Sequence, residues 1–135
     1  MTLCDTGPLV ALIDRNDSWH MRSVAVLDRI GSTTFVTTWP CFTEAMYFLF
    51  HAGGLAAQEE LWNLYADGIV RLHPPDPGEL DRVRALMRQY ADSPMDFADA
   101  SLVAAAETLD IRRVFTLDRH FHAYRTPRGH FDVVP

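Results

Sequence analysis

The chain opens with a short apolar segment interrupted by one carboxylate: Leu3-Cys4-Asp5-Thr6-Gly7-Pro8-Leu9-Val10-Ala11-Leu12-Ile13-Asp14. The residues before Asp5 predict a short buried strand, and Thr6-Gly7 predicts a tight turn. Pro8 predicts the first turn of a helix, because the N–H that proline lacks would be unpaired there anyway. Asp5 is therefore expected at the carboxyl end of a strand, the edge at which ligands bind in open α/β sheets.

Strand and helix patterns alternate along the rest of the chain. This alternation predicts a three-layer α/β/α sandwich, with a central, mainly parallel sheet of four to five strands and helices on both faces. The 135 residues are expected to form a single domain, residues 1–135. Further strands are predicted at 33–38, 68–73, 113–116 and 131–134. Helices are predicted at 19–30, 39–51, 55–66, 79–90 and 96–109. A helical turn is predicted at 118–124 and a loop at 126–129.

Glycines and apolar spacing make more detailed predictions about the helices. Gly31 is expected to end one helix, and Gly53-Gly54 to separate two others. In the helix at 79–90, the residues expected to face the core are Leu80, Val83, Leu86 and Met87.

Charge and cysteine content limit the classes of protein that fit. The net charge is −6, yet residues 111–135 carry five arginines against Asp118 and Asp132. All twelve basic residues are arginine, which excludes a P-loop and Schiff-base chemistry because both need lysine. Cys4 and Cys41 lie in apolar segments and are expected to be reduced. With no signal peptide pattern and no apolar run of about 20 residues, the expected location is cytoplasmic, without a membrane partner.

Glu44 is the only formally charged residue between Ile30 and Gln58. It belongs to a predicted helix that is apolar nearly all round, so it is expected to be largely buried. A lone buried carboxylate is costly unless it is paired, hydrogen-bonded or bound to a metal. The alternatives are a carboxylate favoured by the helix dipole or one paired with an arginine.

Asp96 and Asp99 begin the predicted helix at 96–109. Asp96 fits an N-cap, and Asp99, three residues later, fits a capping box. Asp99 also shares a helix face with Leu102, Val103 and Ala106, which predicts that it is buried. We therefore expect Asp96 mainly to cap the helix and Asp99 mainly to serve a site.

Asp118 follows the predicted strand at 113–116 and so, like Asp5, is expected at the carboxyl end of a strand. The alternative is an N-cap for the turn that follows. Together, Asp5, Glu44, Asp99 and Asp118 are carboxylates that one sheet edge can bring together. Such a group needs a cation to stay ionised, and its hard oxygen ligands suit Mg²⁺ or Mn²⁺.

A divalent ion held in this way can activate water and neutralise the charge that develops on a phosphodiester. The arginine-rich end of the chain offers candidate contacts to RNA phosphates at Arg112, Arg113 and Arg119. An exposed, solvated surface is an equally good interpretation of these arginines. His120 and His122 lack zinc-ligand spacing and are expected at the surface.

Four motifs resemble those of the PIN-domain nucleases and, among them, the VapC-type toxins of toxin–antitoxin pairs. They occur in the family's order and span nearly the whole chain: Asp5-Thr6-Gly7-Pro8-Leu9, Glu44, Asp99-Ala100-Ser101-Leu102-Val103-Ala104 and Thr116-Leu117-Asp118-Arg119-His120-Phe121. The resemblance implies that Asp5 and Asp99 are the principal metal ligands and that Glu44 and Asp118 complete the site. It also implies that Thr6 and Thr116 orient carboxylates or water, whereas Asp96 lies outside the four core positions.

The resemblance further implies a homodimer or a toxin–antitoxin hetero-oligomer, with an antitoxin segment covering the groove. The main hypothesis is a Mg²⁺-dependent endoribonuclease that uses metal-activated water. One alternative, an aspartyl-phosphate enzyme acting through Asp5, is disfavoured because position 7 is Gly instead of a second Asp and no lysine is present. A non-catalytic scaffold that binds RNA or protein and a housekeeping RNA-processing nuclease remain open.

Overall fold

A computed structural model describes all 135 residues. The strands are β1 (Thr2–Cys4), β2 (Phe35–Thr38), β3 (Val70–His73), β4 (Arg113–Phe115), β5 (Arg125–Thr126), β6 (Gly129–His130) and β7 (Asp132–Val134). The helices are α1 (Thr6–Ile13), α2 (His20–Ile30), α3 (Trp39–Ala66), α4 (Pro77–Gln89) and α5 (Phe97–Leu109), and a 3₁₀ turn spans Arg119–His122.

The five main strands form a parallel sheet in the order β3-β2-β1-β4-β7. The first strand of the chain is therefore its centre, where Leu3 pairs with Val36 on one side and Val114 on the other. Helices cover both faces, so the predicted three-layer α/β/α architecture is confirmed. The predicted loop at 126–129 is instead the tip of a small antiparallel hairpin, β5–β6.

Alternating residues of the central strands face two separate cores. Leu3 and Val114 pack with apolar residues of α4 and α5 on one face. Cys4 and Phe115 pack with residues of α1, α2 and α3 on the other. This alternation follows from the two-residue period of a strand. Because both sets of side chains must be buried, it also fixes the register in which the strands pair.

The helices are interrupted at the glycines where the sequence predicted interruptions. Gly31 ends α2 with a φ of 70°, and Gly53 and Gly54 have non-helical backbone angles that divide α3 into two parts. Two details of helix entry differ from expectation. Thr6 already belongs to α1 because the Asp5 side chain caps it, and α2 begins at His20, one residue after the predicted start.

Helix α4 buries less apolar surface than its pattern predicts. Val83 and Leu86 are buried as expected, but Leu80 and Met87 are 48% and 38% exposed. The reason is that α4 packs on α5 through a narrow stripe, and Leu80 and Met87 lie to the outside of this stripe beside Phe97. None of the helices has the length and apolar character of a membrane-spanning segment.

Candidate active site

An open groove of about 640 Å³ lies at the carboxyl ends of β1 and β4. The structure brings Asp5, Glu44, Asp99 and Asp118 together in its lining, from four elements that are distant in sequence. No arginine lines the groove, and its remaining ionisable residues are Asp14, Asp17, Asp96 and His51. Asp14 and Asp17 were missed by sequence reasoning, because acidic residues after a short helix are typical of any solvated turn.

Asp5 is the most constrained of these carboxylates and is only 7% exposed. Its Oδ1 accepts the N–H of Thr6 at 2.7 Å, and its Oδ2 accepts the hydroxyl of Thr116 at 2.7 Å. Burial raises the pKa of Asp5, and the charges of Asp118 and Asp96 raise it further against the lowering effect of the two hydrogen bonds. Asp5 is thus held rigidly at the groove floor in an environment that lacks positive charge.

Cys41 lies directly beneath Asp5, with its thiol directed at Asp5 Oδ1 at 3.7 Å. Burial and the neighbouring Asp5 charge raise the pKa of this thiol. It therefore stays protonated and is unsuited to act as a nucleophile. Both cysteines are free and buried, as the sequence predicted.

Glu44 reaches the groove from the first part of α3. The Thr6 hydroxyl donates to Glu44 Oε2 at 3.1 Å, so one threonine connects the first and second acidic motifs. The expectation that Glu44 is largely buried is wrong: it is half-buried, because Tyr47, Phe48 and Phe50 of the same helix face solvent. Desolvation nevertheless raises the pKa of Glu44, with a further contribution from Asp96 and Asp5.

Asp96 and Asp99 form the predicted capping box at the start of α5. Asp96 Oδ1 accepts the Asp99 N–H at 2.8 Å, and Asp99 Oδ2 accepts the Asp96 N–H at 3.3 Å. Asp99 is only 7% exposed, whereas Asp96 is exposed at the groove rim. Burial, together with the charges of Asp96 and Asp5, raises the pKa of Asp99 to about 8. In a metal-free groove Asp99 therefore keeps its proton to higher pH than an ordinary aspartate does.

Asp118 caps the 3₁₀ turn that follows β4. Its Oδ1 accepts the N–H of His120 at 2.9 Å and contacts the His120 ring Nδ1 at 2.7 Å. The Asp118 N–H in turn donates to the Thr116 hydroxyl at 3.0 Å. Thr116 therefore connects Asp118 to Asp5 through two hydrogen bonds of its hydroxyl. The family motif implied that Thr116 orients carboxylates or water, and the hydrogen bond to Asp5 is a contact of that kind.

The three candidate phosphate-binding arginines occupy different places. Arg112 and Arg113 precede or begin β4 and so lie at the sheet edge opposite the groove. Arg113 is paired there with Asp132 at 3.1 Å, and Arg112 contacts the Arg128 carbonyl at 3.5 Å. Arg119 directly follows the groove residue Asp118 and is exposed, without lining the groove itself.

A family model described as PIN domain matches residues 2–126 of the sequence. The chain belongs to the PIN-domain family. Membership of this family supports a nuclease, in agreement with the acidic groove described above.

A solved structure extends the comparison to all 135 residues of this PIN domain. Mycobacterium tuberculosis VapC20, described as a sarcin–ricin loop cleaving toxin, superposes with a TM-score of 0.84 over 100% of both chains. The two sequences are 18% identical, so this likeness establishes a shared fold. No protein with curated function matches this sequence significantly.

The groove of this PIN domain fits a divalent cation by the chemistry of its donors. Burial, with a smaller effect of the neighbouring carboxylates, raises the pKa values of Asp5, Glu44 and Asp99, and no arginine or lysine lines the groove. No three His, Cys, Asp or Glu side chains are already close enough together to form a complete metal site. Oxygen donors around such an uncompensated groove suit Mg²⁺ or Mn²⁺ in preference to softer metals.

Proposed function

We propose that this PIN domain, acting as one unit over residues 1–135, is a Mg²⁺-dependent endoribonuclease that hydrolyses RNA phosphodiesters. The observation that supports this most directly is the groove itself. Four carboxylates from the ends of β1 and β4 and from α3 and α5 line it, without a lysine or arginine to neutralise them. A phosphodiester is also anionic, so the groove can accept RNA only together with cations.

In this proposal Asp5 and Asp99 hold Mg²⁺ or Mn²⁺, and Glu44 and Asp118 complete the site directly or through water. Held by these residues, a divalent ion would supply Lewis-acid stabilisation of the phosphoryl group and would lower the pKa of a water molecule. Asp99 must give up its proton when the ion binds, because only the carboxylate is a metal ligand. Thr116 and Thr6 keep their carboxylate partners oriented by the hydrogen bonds at 2.7 and 3.1 Å.

The side chains near the groove favour a direct attack by water over catalysis through a covalent intermediate. Cys41, the nearest thiol, is kept protonated by burial and by Asp5. Of the three candidate arginines, only Arg119 is adjacent in sequence to a groove residue, Asp118, so we assign to it the contact with an RNA phosphate near the groove. The chain's lack of lysine leaves this task to arginine.

We further propose that the protein is the toxin of a type II toxin–antitoxin pair. The full-length likeness to VapC20, which is described as a toxin, supports this role. The partners would then be an RNA substrate and a cognate antitoxin, in a homodimer or toxin–antitoxin hetero-oligomer. Two buried, free cysteines are compatible with action in the cytoplasm.

The test compares protein purified free of any antitoxin with its Asp5→Asn and Asp99→Asn variants. Asp110→Asn is the matched control, because Asp110 pairs with Arg128 and does not line the groove. We expect wild type and the control to bind Mn²⁺ in calorimetric titrations and to cleave RNA with Mg²⁺ but not with EDTA. Both groove variants should lose binding and cleavage while melting cooperatively.

Wild-type protein that is folded and neither binds Mn²⁺ nor cleaves RNA would overturn the nuclease assignment in favour of a non-catalytic scaffold. The toxin role is tested separately by induced expression in bacteria. Growth arrest by wild type, and none by Asp5→Asn at equal protein levels, is expected. Cleavage in vitro without growth arrest would instead indicate a housekeeping RNA-processing nuclease.

A further inference from the structure

A second pocket, of about 440 Å³, lies beside the acidic groove. Its lining includes Thr38 and His73, which end β2 and β3, so the pocket is at the same edge of the sheet as the groove at the ends of β1 and β4. Glu44 lines both the pocket and the groove. Ligands of open parallel sheets bind at this edge. An extended ligand in the groove can therefore continue into the pocket.

The wall of this pocket is aromatic and apolar. Trp39, the first residue of α3, and Phe97, the first residue of α5, both line it and are each 51% exposed. Pro40, Leu80 and Val83 add further apolar surface. Nucleobases stack on exposed aromatic rings of this kind with little regard to sequence, because every base has a π face. The wall therefore suits the flat face of a base.

Two paired side chains supply the polar part of the pocket. His73 Nε2 lies 2.8 and 3.0 Å from the two carboxylate oxygens of Glu79, and the two side chains are only 11% and 4% exposed. The pair fixes the His73 ring and leaves its Nδ1 without a hydrogen bond inside the chain. A few fixed polar groups in an apolar wall are typical of small-ligand sites, which measure about 300–1,000 Å³. The edges of nucleobases carry the donors and acceptors that such groups recognise.

We propose that this pocket binds an unpaired base of the RNA, from a nucleotide close to the cleaved phosphodiester, with the base stacked against Trp39 or Phe97 and its edge at His73. This inference rests on the proposed ribonuclease function and names its substrate class: single-stranded or loop RNA, whose bases are free to leave the stack. The shared Glu44 makes the pocket continuous with the groove. An apolar protein segment fits less well, because it would cover His73 Nδ1 without offering a hydrogen bond.

Trp39→Ala and Phe97→Ala each remove one ring from the pocket. The matched control is Phe50→Ala, because Phe50 is 56% exposed on the same helix as Trp39 and lines neither the pocket nor the groove. We expect kcat/KM for single-stranded RNA to fall about 10- to 100-fold in the pocket variants, as loss of a base–aromatic stack commonly causes. It should be unchanged in Phe50→Ala. Mn²⁺ binding should be retained in all three, because none of these residues is a proposed ligand.

Substrates that lack a single base test whether the pocket binds a base. After the cleavage site has been mapped, the bases flanking it are removed one at a time in synthetic RNA. At one position, the loss should lower kcat/KM of wild type as much as Trp39→Ala does, and Trp39→Ala should lose little more on that substrate. Two changes that remove the same contact are not additive. Fully additive losses at every position would overturn the proposal.

Stopped-flow fluorescence of 2-aminopurine detects stacking on the rings without requiring cleavage. With this base at successive positions of a single-stranded RNA in Mg²⁺, wild type and Phe50→Ala should quench one position that Trp39→Ala leaves bright. If wild type cleaves RNA while both pocket variants cleave and quench equally well, the pocket proposal is wrong and the nuclease assignment stands. Quenching by wild type without cleavage would keep the base pocket and overturn the nuclease assignment. Neither quenching nor cleavage would overturn both.

Discussion

The Thr116 hydroxyl donates to Asp5 Oδ2 at 2.7 Å and joins two residues that are 111 positions apart in sequence. Because Thr116 also accepts the Asp118 N–H at 3.0 Å, one hydroxyl connects the Asp5 carboxylate to the backbone of Asp118. The groove is therefore built around a hydrogen-bonded connection between the first and last acidic motifs.

Thr116→Val should weaken both folding and cleavage. It leaves the Asp118 N–H without its acceptor and Asp5 with one fewer donor, so we expect a loss of about 1–3 kcal/mol in the free energy of unfolding. RNA cleavage should fall about 10- to 100-fold. Urea unfolding and single-turnover kinetics measure the two effects.

Thr37→Val is the control for that substitution, because the Thr37 hydroxyl is equally buried but has no partner. This change should be neutral or stabilising and should leave cleavage intact. Equal effects of the two substitutions would mean that the Thr116 hydrogen bonds do not support the site.

The stability of metal-free protein should fall as pH rises. The pKa of Asp99 is raised to about 8, against about 3.9 in an unfolded chain. Between these values the folded protein binds a proton that the unfolded chain does not, so the free energy of unfolding decreases from about pH 4 to about pH 8. Asp5 and Glu44, whose pKa values are also raised, contribute with the same sign.

Urea unfolding at pH 5 and pH 8 in EDTA measures this dependence. The decrease should be smaller in Asp99→Asn, which has no proton to lose, and Mg²⁺ should restore the stability of wild type at pH 8. An identical pH dependence in wild type and Asp99→Asn would show that Asp99 does not carry the raised pKa.

Substitution of Asp96 should separate its capping role from any part in the metal site. Asp96→Ala removes the acceptor for the Asp99 N–H and should cost about 1 kcal/mol of stability, whereas Asp96→Asn keeps a capping oxygen and should be nearly neutral. Because Asp96 is outside the proposed ligands, Asp96→Asn should also retain Mn²⁺ binding in calorimetry. Loss of that binding in a folded Asp96→Asn variant would make Asp96 a ligand.

Arg119 and Arg113 should differ in their effects on RNA binding. Arg119→Ala removes an exposed charge beside Asp118 and should raise KM several-fold and reduce the salt-dependence slope by about 1. Arg113→Ala removes a residue paired with Asp132 at the opposite sheet edge and should leave KM unchanged. Titrations of RNA cleavage at several salt concentrations compare the two, and a larger effect at Arg113 would move the RNA path away from the groove.

Local sequence signals predicted the helix and strand ends that position this site. The helix-capping chemistry of Asp96 and Asp99 and the glycines at 53 and 54 act within one or two turns, so their effect could be predicted without knowledge of the fold. Asp5 and Asp118 follow strands whose apolar character marks them as buried. Parallel strands then necessarily place both carboxylates at one edge of the sheet.

Burial that depends on distant partners was not predictable. Glu44 was expected to be largely buried, but Tyr47, Phe48 and Phe50 of the same helix are exposed to solvent. Leu80 and Met87 have the spacing of core residues, yet α5 covers only the neighbouring stripe of α4.

The position of β1 has a consequence for synthesis of the protein. This strand is made before the four others of the sheet, but it becomes the centre of the sheet only after β4 has been made. The donor to Asp5 Oδ2 and the last groove carboxylate are added at residues 116 and 118. A nascent or truncated chain that stops before these positions therefore has no complete groove, and the proposed RNA cleavage would require synthesis through residue 118.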